Sequence, residues 1–393
     1  MDIFKKCVDF TDARDARDAG LYPYFHPLSS AQEPEVIIDG KKMIMIGSNN
    51  YLGLTTHPRV KEAAIKAVEK FGTGCTGSRF LTGTLDMHNQ LEAKLAKFLN
   101  KQAALVFSTG MQTNLGVISC LGTKDDILIT DKYDHASILD GCRLSYSPMR
   151  RFQHNDPQSL DRVLQGLDQG KGKMVIVDGV YSMEGDIADL PGITKVCHKH
   201  GARLLVDDAH ALGVLGAHGR GTAEHFGLEK ETDLIMGTFS KSFAAIGGVV
   251  AGDFEVIDYV KHFARSMIFS AALPPALTAA VSAAVDVLQD EPELLKKLWH
   301  NTDKMLKGFK DLGYDTGSAC TPIIPLMIGS REKAFAFWKH LMDHGIFANP
   351  VMSPAVPEGR EMIRTSFSAA HTDAQLDRVL EEFKAAGKEL GLI

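Results

Sequence analysis

No two cysteines of this chain are spaced to share a metal ion: the six (Cys7, Cys75, Cys120, Cys142, Cys197 and Cys320) are scattered, with no C-x-x-C pair. That pattern suggests neither a zinc site nor a disulfide framework, so no metal is expected and the thiols should be reduced, as in a cytoplasmic protein. The chain also lacks any apolar run near the ~20 residues of a membrane span, and it opens without a basic segment followed by an apolar one. No basic amphipathic helix is strong enough to predict anchoring, which leaves peripheral membrane contact at most. A basic surplus is missing too. With 43 Lys+Arg against 49 Asp+Glu the net charge is −6, so there is no general electrostatic reason to bind nucleic acid. Local clusters such as Arg150-Arg151 stay candidate anion sites.

What is present is ordinary in bulk and specific in order. At 393 residues and 45% hydrophobic, the chain can build two packed domains. Near the start, Glu35 to Ile38 and Met43 to Ile46 flank Asp39-Gly40 and predict a hairpin. Pro58 opens a helix that Gly72 closes. From Ala103 the pattern becomes short apolar runs alternating with helical stretches: Ala103 to Phe107, Ile127 to Thr130, Met174 to Asp178, Arg203 to Asp207, Asp233 to Met236 and Gly248 to Ala251. Such runs predict an α/β fold with a mostly parallel sheet covered on both faces. An Ala-rich helix follows Leu273-Pro274-Pro275, and strand and helix alternate again to a last helix with a Thr372-x-x-Gln375 capping box. The expected layout is an N-terminal helix and hairpin segment over 1–50, a large domain over 51–285 and a small C-terminal α/β domain over 286–393.

Ligands on such sheets bind beyond the carboxyl ends of the strands, so the residues after each run are the ones that matter. After Phe107 comes Ser108-Thr109-Gly110-Met111-Gln112, a glycine-containing entry into a helix that suits a phosphate. After Thr130 comes Asp131-Lys132-Tyr133-Asp134-His135, and after Val177 comes Asp178-Gly179-Val180-Tyr181-Ser182. Asp207-Asp208-Ala209-His210 ends the next run, and an aspartate there is costly to bury unless a cation meets it. Lys241, in Thr238-Phe239-Ser240-Lys241-Ser242, ends the run after that. Aspartate, histidine and lysine on successive strand ends, with a phosphate loop on an earlier one, are the groups that pyridoxal 5'-phosphate requires. The carboxylate keeps the ring nitrogen protonated and the lysine forms the imine.

These motifs, with Ser48-Asn49-Asn50-Tyr51-Leu52-Gly53-Leu54 and Asp134-His135-Ala136-Ser137, make the chain resemble the α-oxoamine synthases over nearly its whole length. The resemblance implies the aspartate aminotransferase-like fold (fold type I). It puts His135 on the cofactor ring, Asp207 on the ring nitrogen, and Ser182 and His210 on the phenolic oxygen, with Lys241 as the Schiff-base lysine. Gly110, Met111 and Thr238 would hold the phosphate, joined by Ser270 and Ala271 from the partner subunit of a homodimer. Arg364, with Asn49 close by, would hold the substrate carboxylate.

Within the family, Tyr22-Pro23-Tyr24-Phe25, Gly77-Ser78-Arg79-Phe80-Leu81-Thr82-Gly83-Thr84-Leu85, Tyr181-Ser182-Met183-Glu184-Gly185-Asp186 and Phe239-Ser240-Lys241-Ser242 resemble the members that use L-serine and a long-chain acyl-CoA. Relatives using glycine or alanine more usually carry glycine before the lysine. The implied reaction is the decarboxylative Claisen-type condensation of serine with palmitoyl-CoA, giving 3-ketodihydrosphingosine, CoA and CO2. The alternatives are a member acting on cysteate, glycine or alanine with another acyl-CoA, and a non-catalytic partner subunit. The last is expected to lack the lysine that this chain keeps.

Overall fold

The computed structural model describes residues 2–353 and 355–393. At its centre is a seven-stranded sheet in the spatial order Ala103–Phe107, Gly248–Gly252, Leu234–Thr238, Arg203–Asp207, Gly172–Asp178, Asp126–Asp131, Met149–Phe152. Every pairing is parallel except those of Gly248–Gly252, which runs against both its neighbours. The strands read as unbroken apolar runs because both faces are covered. Leu204 and Val206 join the core on one face, while Leu205 between them joins the core on the other. Each such side chain contributes about 1.5–3 kcal/mol through burial.

Two strands of this sheet had unequal signals. Met149–Phe152 is an edge strand whose Arg150 and Arg151 are exposed, so it reads as charged loop rather than apolar run. Gly248–Gly252 is buried throughout and legible.

The hairpin Glu35–Ile38 and Lys41–Met45 forms as expected, and Ile346–Phe347 adds to it in parallel. A second small sheet sets Met362–Ser366 between Ile323–Met327 and Asn349–Val351, all antiparallel. Ile44 and Ile46 of the N-terminal segment pack into the same core as Phe337, Ile363 and Phe383. Helix Glu293–Asp311, which the sequence reading passed over, spans the two bodies: Leu295 and Leu298 enter the large core, Met305 and Phe309 the small one. Its stripe at 295, 298, 302, 305 and 309 is helical in period, so the signal was there. Thr372 and Gln375 cap the last helix, Asp373–Glu389, reciprocally.

His371 ties the hairpin to the C-terminal body. Its Nδ1 accepts from the Ser368 N–H at 3.0 Å, so the proton sits on Nε2, which donates to the Met45 carbonyl at 3.0 Å. Burial pulls its pKa from 6.5 down to about 4. The neutral ring's contribution is therefore complete above pH 6.5 and is lost as pH falls toward 4, because only the unfolded chain takes up the proton in that window. Denaturation midpoints measured from pH 7 to pH 4 are expected to record a loss of about 3 kcal/mol from this group. The His371→Gln variant should have a flatter profile, and an equally steep one would refute the assignment.

Candidate active site

The carboxyl ends of the parallel strands open into a cavity of about 350 Å³. Its lining includes Gly110, Met111, His135, Ser182, Asp207, His210, Thr238 and Lys241, all marked by the sequence, and also Asp178 and Ser240. Asn49 and Arg364 meet one another beside it. Ser270 and Ala271 lie outside it, against Gln112 and Ser108 of their own chain.

The strand register creates this meeting. Asp178 pairs with Asp207, Asp207 with Met236, and Thr238 with Gly248, so residues distant in sequence end at one edge. Helix Gly110–Leu121 starts there, with Thr109 Oγ1 accepting from the Gln112 N–H at 3.0 Å. The N–H groups of Gly110 and Met111 have no hydrogen bond within the chain among the described residues, as expected for the first turn of a helix. A Cβ on Gly110 would stand 2.7 Å from Thr238 Oγ1, so only glycine lets the helix end and that hydroxyl approach so closely. Thr238 Oγ1 donates to the Gly247 carbonyl at 3.0 Å and takes the Ser240 hydroxyl at 2.9 Å. On the outer side of the loop, Gln112 Nε2 donates to Ser270 Oγ at 2.8 Å and the Ser108 hydroxyl to the Ala271 carbonyl.

Asp207 is buried, and its oxygens are held by Asn114 Nδ2 at 2.7 Å and the Ala209 N–H at 3.0 Å. Asn114 also donates to Ser137 Oγ at 2.8 Å, and that hydroxyl lies 2.8 Å from His135 Nδ1. Because the Ser137 N–H also points at His135 Nδ1, the ring proton belongs on Nε2. The backbone N–H of His135 donates to Asp178 Oδ2 at 2.9 Å. Burial, and then the charge of Asp207, pushes Asp178 well above the usual carboxylate range.

His210 is buried and its Nδ1 lies 2.7 Å from the Tyr51 hydroxyl. Burial raises Tyr51 to about 12, which keeps the phenol protonated and donating. Burial first, and then the positive charges of Lys241 and Arg364, drive His210 well below 6.5, so it is neutral. With Nδ1 accepting from Tyr51, Nε2 carries the proton. Burial likewise lowers Lys241 to about 8, against the opposing pull of Asp207 and Asp178. A lysine with that value has a sizeable neutral fraction at neutral to mildly alkaline pH and can act as nucleophile or base.

Arg364 comes from the middle strand of the small sheet. Its Nε donates to the Ser182 carbonyl at 2.7 Å and one terminal nitrogen to Asn49 Oδ1 at 3.2 Å. It is buried, yet among the described residues no carboxylate pairs with it. A buried guanidinium without an anion is uncommon and fits a site that receives one.

Asn114, Ser137, Tyr51 and Asp178 were not selected from the sequence as site residues. Asn114 is one helical turn after Gly110 and so shares its face, a signal that could have found it. Asp208, by contrast, points away from the cavity. Its oxygens accept from the Thr222 N–H and hydroxyl, and burial raises it to about 7.

A cavity at the carboxyl edge of a mostly parallel sheet, with a half-buried lysine and a buried aspartate and histidine converging on a helix N-terminus, defines the class. Residues 41–383 match the aminotransferase class I and II family, and the chain belongs to it. Its fold is the aspartate aminotransferase-like fold type I. More particularly, the chain is 49% identical to a serine palmitoyltransferase of Sphingobacterium spiritivorum over 98% of its own length and 97% of that protein's. It is 45% identical to an 8-amino-7-oxononanoate synthase of Thermoanaerobacter pseudethanolicus, over 96% of each. Among solved structures it superposes with a TM-score of 0.96 and 38% identity, covering all of both chains, on a lysine-to-alanine variant of the serine palmitoyltransferase of S. paucimobilis with a bound PLP–myriocin aldimine. Both synthase types fall in the α-oxoamine synthase group. No helix among the described residues is long and apolar enough to cross a membrane.

Proposed function

We propose that this chain is a pyridoxal-phosphate-dependent serine palmitoyltransferase. The observation that carries it is the convergence of Lys241, Asp207, His135 and His210 on one cavity, beside a buried Arg364 that has no anion of its own. The donor set fits the cofactor. The free N–H groups of Gly110 and Met111 match a phosphate, with the Thr238 hydroxyl beside them able to join once its proton turns from the Gly247 carbonyl, and the buried Asp207 matches a protonated ring nitrogen. His135 would lie on the ring, Ser182 and the Nε2–H of His210 would serve the phenolic oxygen, and Lys241 would hold the aldehyde carbon. When bound, the cofactor supplies an electron sink for the substrate's α-carbon.

The chain's own groups do the rest. Arg364 binds the serine carboxylate through its forked donors, with Asn49 keeping the guanidinium turned toward it. Lys241 Nζ takes the α-proton, for which a pKa of about 8 suits it. The carbon so freed attacks the thioester carbonyl of palmitoyl-CoA, and CoA leaves. The serine carboxylate departs as CO2, and Lys241 returns a proton to the same carbon, giving 3-ketodihydrosphingosine. Asn114 holds Asp207 and, through Ser137, His135 in one orientation, so charge and ring contact stay fixed through both bond-breaking steps.

The working form is a homodimer whose subunits share their sites, with Ser270 and Ala271 offered to the partner's phosphate. Supporting this, Met111 and Ile246 at the cavity and Phe269 beside Ser270 are apolar and exposed, surface that a second copy would cover. The soluble, cytoplasmic setting rests on the composition.

Purified protein incubated with L-serine and palmitoyl-CoA should release CoA and form the long-chain ketone. A panel of serine, glycine, alanine and cysteate against short and long acyl-CoA separates this reading from a synthase of the 8-amino-7-oxononanoate type, and preference for alanine or glycine would overturn the serine assignment. Arg364→Ala is expected to raise KM for serine on the order of 10²-fold, as for truncating one partner of a buried charge pair. Arg364→Lys should rescue little, since an ammonium cannot present the fork. Equal KM in all three proteins would remove Arg364 from the substrate site.

A further inference from the structure

A histidine pair sits on a helix of the C-terminal body. Helix Arg331–Asp343 carries His340 in its last turn and ends at His344, four residues on, so both rings share one face. The rings stack with centroids 4.1 Å apart. Across the helix–helix contact, Glu382 projects from the last helix, Asp373–Glu389. One ligand atom from each of His340, His344 and Glu382 lies within 4.8 Å of the other two.

The outer contacts decide which nitrogens are available. His340 Nδ1 is 3.1 Å from Glu389 Oε2, and a carboxylate only accepts, so Nδ1 carries the proton. His344 Nδ1 is 2.8 Å from the His340 carbonyl oxygen and must also be the donor. In the neutral rings both Nε2 atoms then hold lone pairs. His340 Nε2 is buried and without a hydrogen-bond partner, and the nearest charged atom is Glu382 Oε2 at 3.7 Å. A lone pair facing a carboxylate is unfavourable unless a cation stands between them. Nδ1–H directed at a carboxylate or a carbonyl, with Nε2 left free, is the outer arrangement that orients metal-binding histidines. Arg378 of the last helix is engaged with the His344 carbonyl at 2.9 Å.

We propose that His340, His344 and Glu382 form a divalent transition-metal site, matched to Zn²⁺, that clamps the helix Arg331–Asp343 to the last helix. Two imidazole nitrogens and one carboxylate oxygen suit zinc, whereas magnesium and calcium favour all-oxygen sets and copper(I) favours sulfur. Zinc–ligand bonds of about 2.0–2.2 Å require the ligand atoms to close in. His344 is exposed and Glu382 is only half-buried, so both side chains have room to move inward. A water completes the tetrahedron. The competing arrangement is a protonated His340 shared between Glu382 and Glu389, which binds no metal.

The test is calorimetric titration of ZnCl2 into holoenzyme that has been stripped with a chelator and returned to chelator-free buffer, with thermal unfolding alongside. Wild type should bind one Zn²⁺ per chain and gain in Tm. Glu389→Gln, an exposed outer-contact change, should weaken binding by about 10–100-fold. His344→Ala should weaken it further and abolish the Tm gain. The absence of binding in wild type overturns the proposal in favour of the protonated pair. Equal binding by wild type and His344→Ala overturns it in favour of a thiol site, since all six cysteines are free.

Discussion

Replacing Lys241 by alanine is expected to lower turnover of serine with palmitoyl-CoA on the order of 10⁴-fold, the range for losing a positioned proton-transfer group, with the covalent anchor of the cofactor lost as well. Lys241→Arg should be as inactive as alanine, because a guanidinium keeps its charge and cannot release a proton. The depressed pKa gives this a pH signature. A lysine at 10.5 would leave the apo-chain's uptake of the cofactor still accelerating at pH 10. With Lys241 at about 8 the rate should climb through that pH and then level, since the neutral amine is by then the dominant form. Stopped-flow absorbance of cofactor uptake from pH 6.5 to 10 reads this directly. Borohydride trapping reads the covalent bond, and a trapped adduct or residual turnover in Lys241→Ala would put the chemistry on another residue.

Legibility in this chain follows distance and exposure. Strands such as Gly172–Asp178 and Arg203–Asp207 were readable because a strand covered on both faces must be apolar at nearly every position, and their last residues then mark the site edge. Met149–Phe152 was not, since an edge strand can expose its side chains and here exposes two arginines. The contacts that orient the site left no local trace. Tyr51 meets His210 across 159 residues and Asn114 meets Asp207 across 93. Arg364 and Asn49, 315 residues apart, were found only through family resemblance, since neither periodicity nor spacing relates them. Ser240 is a middle case. Its type and position were visible as a clue to the substrate, but its contact is with Thr238 Oγ1, the hydroxyl set against Gly110 where the helix begins. That contact gives Ser240 a part in holding the phosphate-side hydroxyl, which any amino-acid substrate would need.

Asp207→Asn isolates the other large effect, because it removes a charge with almost no change in volume. In wild type both carboxylate oxygens accept, from Asn114 Nδ2 and the Ala209 N–H. An asparagine can satisfy only one of these donors and must turn its own NH2 toward the other, so the variant loses the negative charge and sets two donors against each other. A buried pair broken by removing one partner costs about 3–5 kcal/mol, which corresponds to on the order of 10³-fold in kcat if the cofactor's ring cation is that partner. Asn114→Ala keeps the charge and deletes two hydrogen bonds, to Asp207 and to Ser137 Oγ, of which the one to the charged acceptor is worth about 1.5–3 kcal/mol. The two variants therefore separate charge from orientation. Asp207→Asn should retain a borohydride-trappable cofactor and lose turnover, whereas Asn114→Ala should lose roughly ten- to a hundred-fold. If Asp207→Asn kept turnover within tenfold of wild type while Lys241→Ala was inactive, Asp207 would be a structural carboxylate. The countercharge to the ring would then have to come from Asp178, whose carboxyl burial pushes well above the usual range.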